Sequence, residues 1–411
     1  MRIVSSRPDP AVLTLPWNQP LESWTEHVVP LPRGLSRHVV RIVRLGSAVY
    51  AIKETTEEMA WREYNLLRNL ARLDLPAVVA HAVVTGRVDE AGEELPAALI
   101  TRHLQFALPY RSLFANGMRA DTLPALIDAL VVLLVRLHLA GFYWGDVSLS
   151  NVLFRRDAGA LAAYLVDAET GELRSSISAP LREYDVEVGT QNVFAELLDL
   201  EAAHLVDHVD PADVVEMILC RYRELWNELT STEEFGTDQL WRIEQRVARL
   251  NDLGFDVEEL DVVTDFDGDL VRITPRVVEL GHHTREFQSL TGLDVEDNQA
   301  RVLLNDLASY TAHTGQGGED RQLVAQRWLH DIYEPLVAMV PPELRGKLQG
   351  PELFHEILVH RWYLSERAGH EVNIFDTARD FIATHLRARP EEAIPEPVAD
   401  LVESAGADDE A

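Results

Sequence analysis

Asp146, Asn151 and Asp167 are the residues of this chain whose types and spacing suggest chemistry. The first two belong to Trp144-Gly145-Asp146-Val147-Ser148-Leu149-Ser150-Asn151, and the third closes a short apolar run further on. Moving a phosphoryl group from a nucleotide requires one carboxylate to orient the attacking hydroxyl. It also requires a side-chain oxygen and a second carboxylate to hold Mg²⁺ on the phosphates. Asp146 suits the first task, Asn151 and Asp167 the second. The competing reading makes Asp146 and Asn151 turn residues that bond only nearby backbone.

The elements needed to position them are legible on both sides. Thr122 to Ala140 predicts a helix, with a Thr cap, Pro124 in its first turn and Gly141 as its stop. Val152-Leu153-Phe154 and the run Leu161 to Val166 predict two strands around Arg-Arg-Asp-Ala-Gly, which puts Asn151 and Asp167 at the base of one hairpin. Upstream, Val49-Tyr-Ala-Ile-Lys53 is an alternating strand ending in a lysine. Of the 37 basic residues only Lys53 and Lys347 are lysines, so a lysine here is suggestive. A compact ammonium suits a phosphate oxygen at the end of a narrow cleft.

A helix from about Glu57 to Leu73 follows, with Met59, Glu63, Leu66, Leu70 and Leu73 on one stripe. Glu63 therefore faces the core, where an unpaired carboxylate costs several kcal/mol, and Lys53 is its natural partner. Glu57 and Glu58 read as first-turn acids that favour the helix dipole. The candidate phosphate loop is Leu31 to His38, before the strand Val39–Val43; Gly34 and Ser36 are its candidate nucleotide contacts, with Arg37 or His38 as possible substitutes for missing glycines. The alternative is a plain polar hairpin.

On these residues, positions 28–208 resemble the kinase-like fold of the bacterial lipopolysaccharide-core (Kdo) kinases and related small kinases, in which the Gly-Asp form at 145 and 146 is typical. The five-residue step from Asp146 to Asn151 matches the D-x-x-x-x-N catalytic loop, and Asp167 takes the place of the Asp in D-F-G. The rest of the chain resembles domain of unknown function 4032, through Val278 to His282, Leu304 to Leu307 and His360 to Glu366. The first resemblance implies ATP and Mg²⁺, with Lys53 on the phosphates and Glu63 fixing Lys53. The second implies no chemistry.

Departures from the kinase pattern narrow the expectation. Gly145 replaces the arginine that reads a phosphorylated activation loop, Asp167-Ala168-Glu169 replaces D-F-G, and no A-P-E sequence follows. With little chain before the next predicted helix, a small-molecule, sugar or glycolipid hydroxyl is expected as acceptor rather than a peptide. Asp185 either caps that helix or braces the catalytic loop.

The net charge of −31 lies almost wholly beyond residue 180. A field of that sign disfavours nucleic acid and anionic lipid surfaces, and makes the acidic C-terminal domain the candidate surface for a protein partner. Its alternative is an acidic surface that is merely solvated. One cysteine, Cys220, excludes an internal disulfide. The amino terminus lacks a signal-peptide core and the longest apolar run, Ala129 to Val135, is short of a transmembrane segment, so a cytoplasmic protein is expected.

The expected class is α+β: a two-lobed protein-kinase-like domain (28–208), then a mostly helical acidic domain with one β-hairpin (209–390) and a disordered acidic tail (391–411). Helices are predicted near 185–208, 212–230, 238–253, 296–312, 321–339, 351–368 and 376–387. The hairpin pairs 260–264 with 270–274 around Asp267-Gly268, a turn without the acid a Ca²⁺ loop requires at its twelfth position. His355 and His360 are spaced wrongly for a zinc helix, His282 and His283 beside Glu279 and Glu286 read as surface or helix-start residues rather than metal ligands, and Trp362-Tyr363 as core. Three functions remain: a phosphotransferase, a pseudokinase-like module that binds nucleotide or a partner without transfer, and a scaffold without nucleotide.

Overall fold

The computed structural model describes residues 1–29, 38–115, 122–206, 209–231, 245 and 281–394, with 233–236, 255–256, 259–264, 270–276, 279–280 and 282 as backbone alone. Gly34, Ser36, the predicted helix 238–253 (apart from 245) and the acidic turn 265–269 lie outside the described residues.

The first lobe is built on five antiparallel strands in the order Arg2–Ser5, Ala80–Thr85, Ala97–Arg102, Ala48–Thr55, Val40–Leu45. Strand periodicity sends Tyr50 and Ile52 into an apolar layer with Trp17, Leu21 and Trp24, and turns Ala51 and Lys53 toward a cleft on the other face. The segment carrying Trp17 is tied down by the buried Arg87, which pairs with Glu54 at 2.7 Å and donates to the Trp17 carbonyl at 3.1 Å.

The helix Glu57–Arg72 starts at Thr56, whose hydroxyl accepts the Met59 N–H at 3.3 Å. It buries Ala60, Glu63, Tyr64, Leu67 and Leu70. The predicted stripe is thus rotated: Glu63 and Leu70 face inward, Met59 and Leu66 sit at its edge, and Leu73 is 47% exposed. Tyr64 and Leu67 fill the core on that side instead.

The second lobe is organised by Thr122–Leu139, long and apolar enough by length and composition to cross a membrane, yet 61% buried inside the protein. Against it lie the hairpin Val152–Asp157/Ala160–Leu165 and the helix Pro211–Thr230, on which the helix Ala179–Ala202 packs in turn. The hairpin turn is Ala158-Gly159, with φ of 49° and 88°, so Arg155, Arg156 and Asp157 belong to the strand and not to the predicted turn. Val214, Ile218, Tyr222, Leu225 and Leu229 join this lobe's core, so the unit runs past 208, just as Arg2–Ser5 completes its sheet ahead of 28.

A separate core gathers Phe287, Trp328, Phe354, Ile357 and Phe381 from the C-terminal helices. These include His282–Thr291, Asp297–His313, Arg321–Trp328, Gly350–Ala368 and Ile374–Thr384. The stretch predicted as one helix over 321–339 passes through a π turn at Leu329–Tyr333 before Glu334–Ala338, where Pro335 lacks a backbone donor. The predicted hairpin is present as Glu259–Thr264 paired with Leu270–Arg276, and Glu233–Gly236 adds an unanticipated third strand. Trp362 and Tyr363 are not core: they are 59% and 54% exposed, because this helix buries Leu353, Phe354 and Ile357. Past 390 the chain does not leave the protein at once, since Glu392 and Ala393 donate backbone N–H groups to the Gly346 carbonyl at 2.9 and 2.8 Å.

Candidate active site

Lys53 lies where strand and helix converge. Its Nζ is 3.1 Å from Glu63 Oε2, 2.9 Å from Asp167 Oδ2 and 2.9 Å from Glu169 Oε2. Burial opposes the lysine charge, but Glu63 and Asp167 outweigh it and hold Lys53 above the ordinary lysine range. Glu63 is also pushed up, to about 7, by burial and by the neighbouring Asp167, with Lys53 offsetting part of this. Glu169 is held below its ordinary value because Lys53, with His38, outweighs its burial. His38 Nε2 sits 3.1 Å from Glu169 Oε2, so of the predicted loop this one residue is seen at the site.

The loop from Trp144 to Asn151 is shaped by the helix Ala179–Ala202. Asp185 is not its cap, since the helix begins six residues earlier than that residue, after Ser178; it is fully buried and braces the loop. Its two oxygens accept the Trp144 and Gly145 N–H groups, each at 2.8 Å. His138 donates from Nε2 to Asp185 at 3.1 Å and accepts the Tyr222 hydroxyl at Nδ1 at 2.6 Å. Burial keeps His138 below its ordinary pKa, consistent with that neutral tautomer. Gly145 has φ of 79°, and a Cβ there would meet the Tyr143 ring at 3.1 Å, which explains the glycine at this position.

Further along the same helix face, Asn192 donates from Nδ2 to Asp146 Oδ1 at 3.3 Å and to the Val147 carbonyl at 3.0 Å. Glu196 accepts the Leu149 and Ser150 N–H groups, each at 2.8 Å. Gly189 lets the helix approach, since a Cβ would fall 2.8 Å from Val147 Cγ1. Sequence reading missed Asn192 and Glu196; with Asp185 and Gly189 they recur in steps of four, three and four, a single helix face.

Asn151 Nδ2 donates to the Asp146 carbonyl at 3.0 Å and to Asp146 Oδ2 at 3.1 Å, which leaves Oδ1 as its ligand atom for a cation. The hairpin base is closed by Val166 N–H on the Asn151 carbonyl at 3.0 Å, so both predicted metal ligands hang from one ladder. Oxygen atoms of Glu63, Asp167 and Glu169 lie within 4.8 Å of one another around the Lys53 ammonium; Asp167 and Glu169 are hard-oxygen donors of the kind Mg²⁺ takes, and Glu63 is left to Lys53.

These groups line a cleft of about 1510 Å³, with Ala51, Leu99, Leu153 and Val166 as apolar walls and Arg111, Ser112, Asn192 and Asp199 among its polar ones. Small-ligand pockets usually hold ~300–1,000 Å³, so the cleft has room for two ligands. The apolar walls went unread in the sequence because they come from four separate elements. Of the constellations set aside, His360 pairs with Asp380 at 2.7 Å; the side chains of Glu279 and His282 lie outside the described residues.

Residues 43–187 match the Lipopolysaccharide kinase (Kdo/WaaP) family, and residues 224–386 match the domain of unknown function DUF4032. No curated protein matches the chain in sequence. Among solved structures, WaaP in complex with acyl carrier protein is 16% identical, covering 62% of this chain and 99% of that one, with a TM-score of 0.36. The PknI kinase domain of Mycobacterium tuberculosis is 13% identical, covering 47% and 94%, with a TM-score of 0.29.

Proposed function

From a chain that joins a Kdo-type kinase-like fold to a DUF4032 region, we propose an ATP- and Mg²⁺-dependent phosphotransferase acting on a hydroxyl of a small molecule, sugar or glycolipid. The observation that carries it is the convergence of Lys53, Glu63 and Asp167 on one face of the cleft, where Asn151 fixes Asp146.

Asp146 orients the acceptor hydroxyl and takes its proton as that oxygen bonds to the γ-phosphorus and the bridging oxygen departs with ADP. Asn151 and Asn192 hold its carboxylate for that task. Lys53 exchanges a carboxylate for phosphate oxygens while Glu63 keeps its ammonium in place. Asn151 and Asp167, with Glu169 beside them, would hold Mg²⁺, which supplies neutralisation of the phosphate charge. The walls Ala51, Leu99, Leu153 and Val166 suit the flat faces of a base.

Residues 168–178 are all that separate Asp167 from the next helix, which leaves little room for a peptide-binding segment. The Kdo/WaaP match supports a sugar or glycolipid acceptor, and a cytoplasmic setting fits a nucleotide donor. Calorimetry with ATP and Mg²⁺, paired with a transfer assay on sugar and glycolipid pools, tests the reading. Binding with transfer to such an acceptor is expected; no binding would overturn it.

One observation favours a second reading. Glu169 occupies the glycine position of D-F-G and sits on Lys53 at 2.9 Å, where it competes with phosphate. A nucleotide-binding regulatory module without transfer would bind Mg-ATP and release no γ-phosphate to any acceptor.

A further inference from the structure

The hairpin that carries Asn151 and Asp167 at its base is gripped by the helical domain from its turn at Ala158 back to Tyr164, which pairs with Leu153 near that base. Glu296, buried before the helix Asp297–His313, accepts from Arg155 Nη1 at 3.1 Å and from the Tyr164 hydroxyl at 2.7 Å, one residue from each strand. Asp157, last of the first strand, accepts the Gln299 backbone N–H at 2.8 Å and Asn298 Nδ2 at 2.9 Å, both from the first turn of that helix. At the turn itself, Ala158 N–H donates to Glu352 Oε2 at 2.8 Å, and Gln299 Nε2 reaches the same oxygen at 3.0 Å.

This junction differs from the apolar contact that would suffice to keep two domains together. Buried carboxylates cost several kcal/mol unless fully paired, and what such groups add in return is a fixed register. Register matters in this hairpin. A slip of one residue would turn every side chain to the opposite face and separate Asn151 from Asp167, while the third strand of its sheet, Ala107–Pro109, is only three residues long. Two further ties run from the junction to the cleft. Arg155 Nε donates to the Gln105 carbonyl at 2.9 Å, beside the cleft-lining His103 and Leu104. Arg156 holds Glu392 at 2.7 Å, and the segment Pro390–Ile394 lines the cleft directly.

We propose that the C-terminal helical domain is a positioning part of the phosphotransfer site: through Glu296, Gln299 and Glu352 it locks the register of the hairpin, and so fixes Asn151 and Asp167 for the metal. The inference rests on the phosphotransfer reading and extends it to the domain without a mechanistic motif. Glu296, Gln299 and Glu352 touch no reacting atom; they act through the hairpin.

The test uses the full chain with Glu296→Ala, Glu352→Ala and their conservative counterparts Glu296→Gln and Glu352→Gln. Calorimetry at a temperature well below each variant's melting midpoint gives the Mg²⁺ concentration needed for nucleotide binding, and separately the affinity for metal-free ATP. The Ala variants are expected to need about tenfold more Mg²⁺, the scale found when groups supporting metal ligands are removed. Metal-free ATP affinity should change much less, and the Gln variants should recover most of the loss. Should the Ala variants fail to fold, Tyr164→Phe carries the test, since it removes one hydroxyl and keeps the ring; a smaller rise in the Mg²⁺ requirement is then expected. Variants that melt earlier but keep the wild-type Mg²⁺ requirement would make the contact structural only and overturn the proposal. Wild-type protein that binds no Mg-nucleotide would instead remove the phosphotransfer reading, and this proposal with it.

Discussion

Glu63→Gln separates what the site does from what the fold prefers. Glu63 is 1% exposed, and its carboxyl is pushed from an ordinary 4.5 up to about 7 by burial and by Asp167. A carboxylate whose folded pKa is raised contributes stability at low pH, and that contribution is lost as pH rises from the unfolded value through about 7. The difference from 4.5 to about 7, at about 1.36 kcal/mol per pH unit, is on the order of 3 kcal/mol against the folded state at pH 8. Glutamine carries no such penalty and keeps the shape, while Lys53 retains Asp167 and Glu169 as partners. The variant should therefore be more stable than wild type at pH 8 by ~2–3 kcal/mol, with the gain shrinking toward pH 5. Function should move oppositely. Once Asp167 and Glu169 turn to the metal, Glu63 is the remaining anchor of Lys53, and losing a charged hydrogen bond should weaken Mg-ATP binding or turnover by about tenfold to a hundredfold. Urea denaturation at pH 5 and pH 8, with ATP calorimetry, measures both. A variant less stable than wild type at pH 8, with unchanged nucleotide affinity, would refute the placement of Glu63 as a strained anchor.

Asp146→Asn should preserve Mg-ATP binding in calorimetry while phosphate transfer falls by about 10²–10⁴, because it removes only the group that takes the proton. Asp167→Ala should weaken both binding and transfer, since the phosphate charge then lacks a ligand for its metal. Gly145→Ala should destabilise the protein by ~1–2 kcal/mol in urea denaturation, because its φ of 79° disfavours any side chain and the Tyr143 ring lies 3.1 Å from the new carbon.

What could be read in the sequence follows from how local each signal is. Asp146 and Asn151 are five residues apart and tied to each other, so their types and spacing stand out once the flanking helix and hairpin are read with them. Glu63 was legible because a carboxylate on an apolar helix face demands a partner, and this survived even though the stripe drawn around it was rotated toward Tyr64 and Leu67. Asn192 and Glu196 carried a helical spacing from Asp185 that only becomes informative once Asp185 is known to be buried inside the helix rather than capping it. The N-terminal strand gave no such signal, because its meaning lies in pairing Arg2 with Thr85, far along the chain.

The junction between the domains marks the limit of that reasoning. Arg155 and Glu296 stand 141 residues apart, and neither belongs to a motif. Locally, Arg155 and Arg156 read as turn residues, because nothing in an alternating strand predicts two buried guanidinium partners in another domain. An arginine at a strand end is normally solvated, and it becomes informative only when a buried carboxylate is seen to meet it. The same local physics that marks the chemistry is therefore silent on what positions it: among the described residues beyond 180, most acids face water, while Asp185 is buried under the loop of Asp146, and Glu296, Glu352 and Glu392 are buried against the hairpin side of the junction.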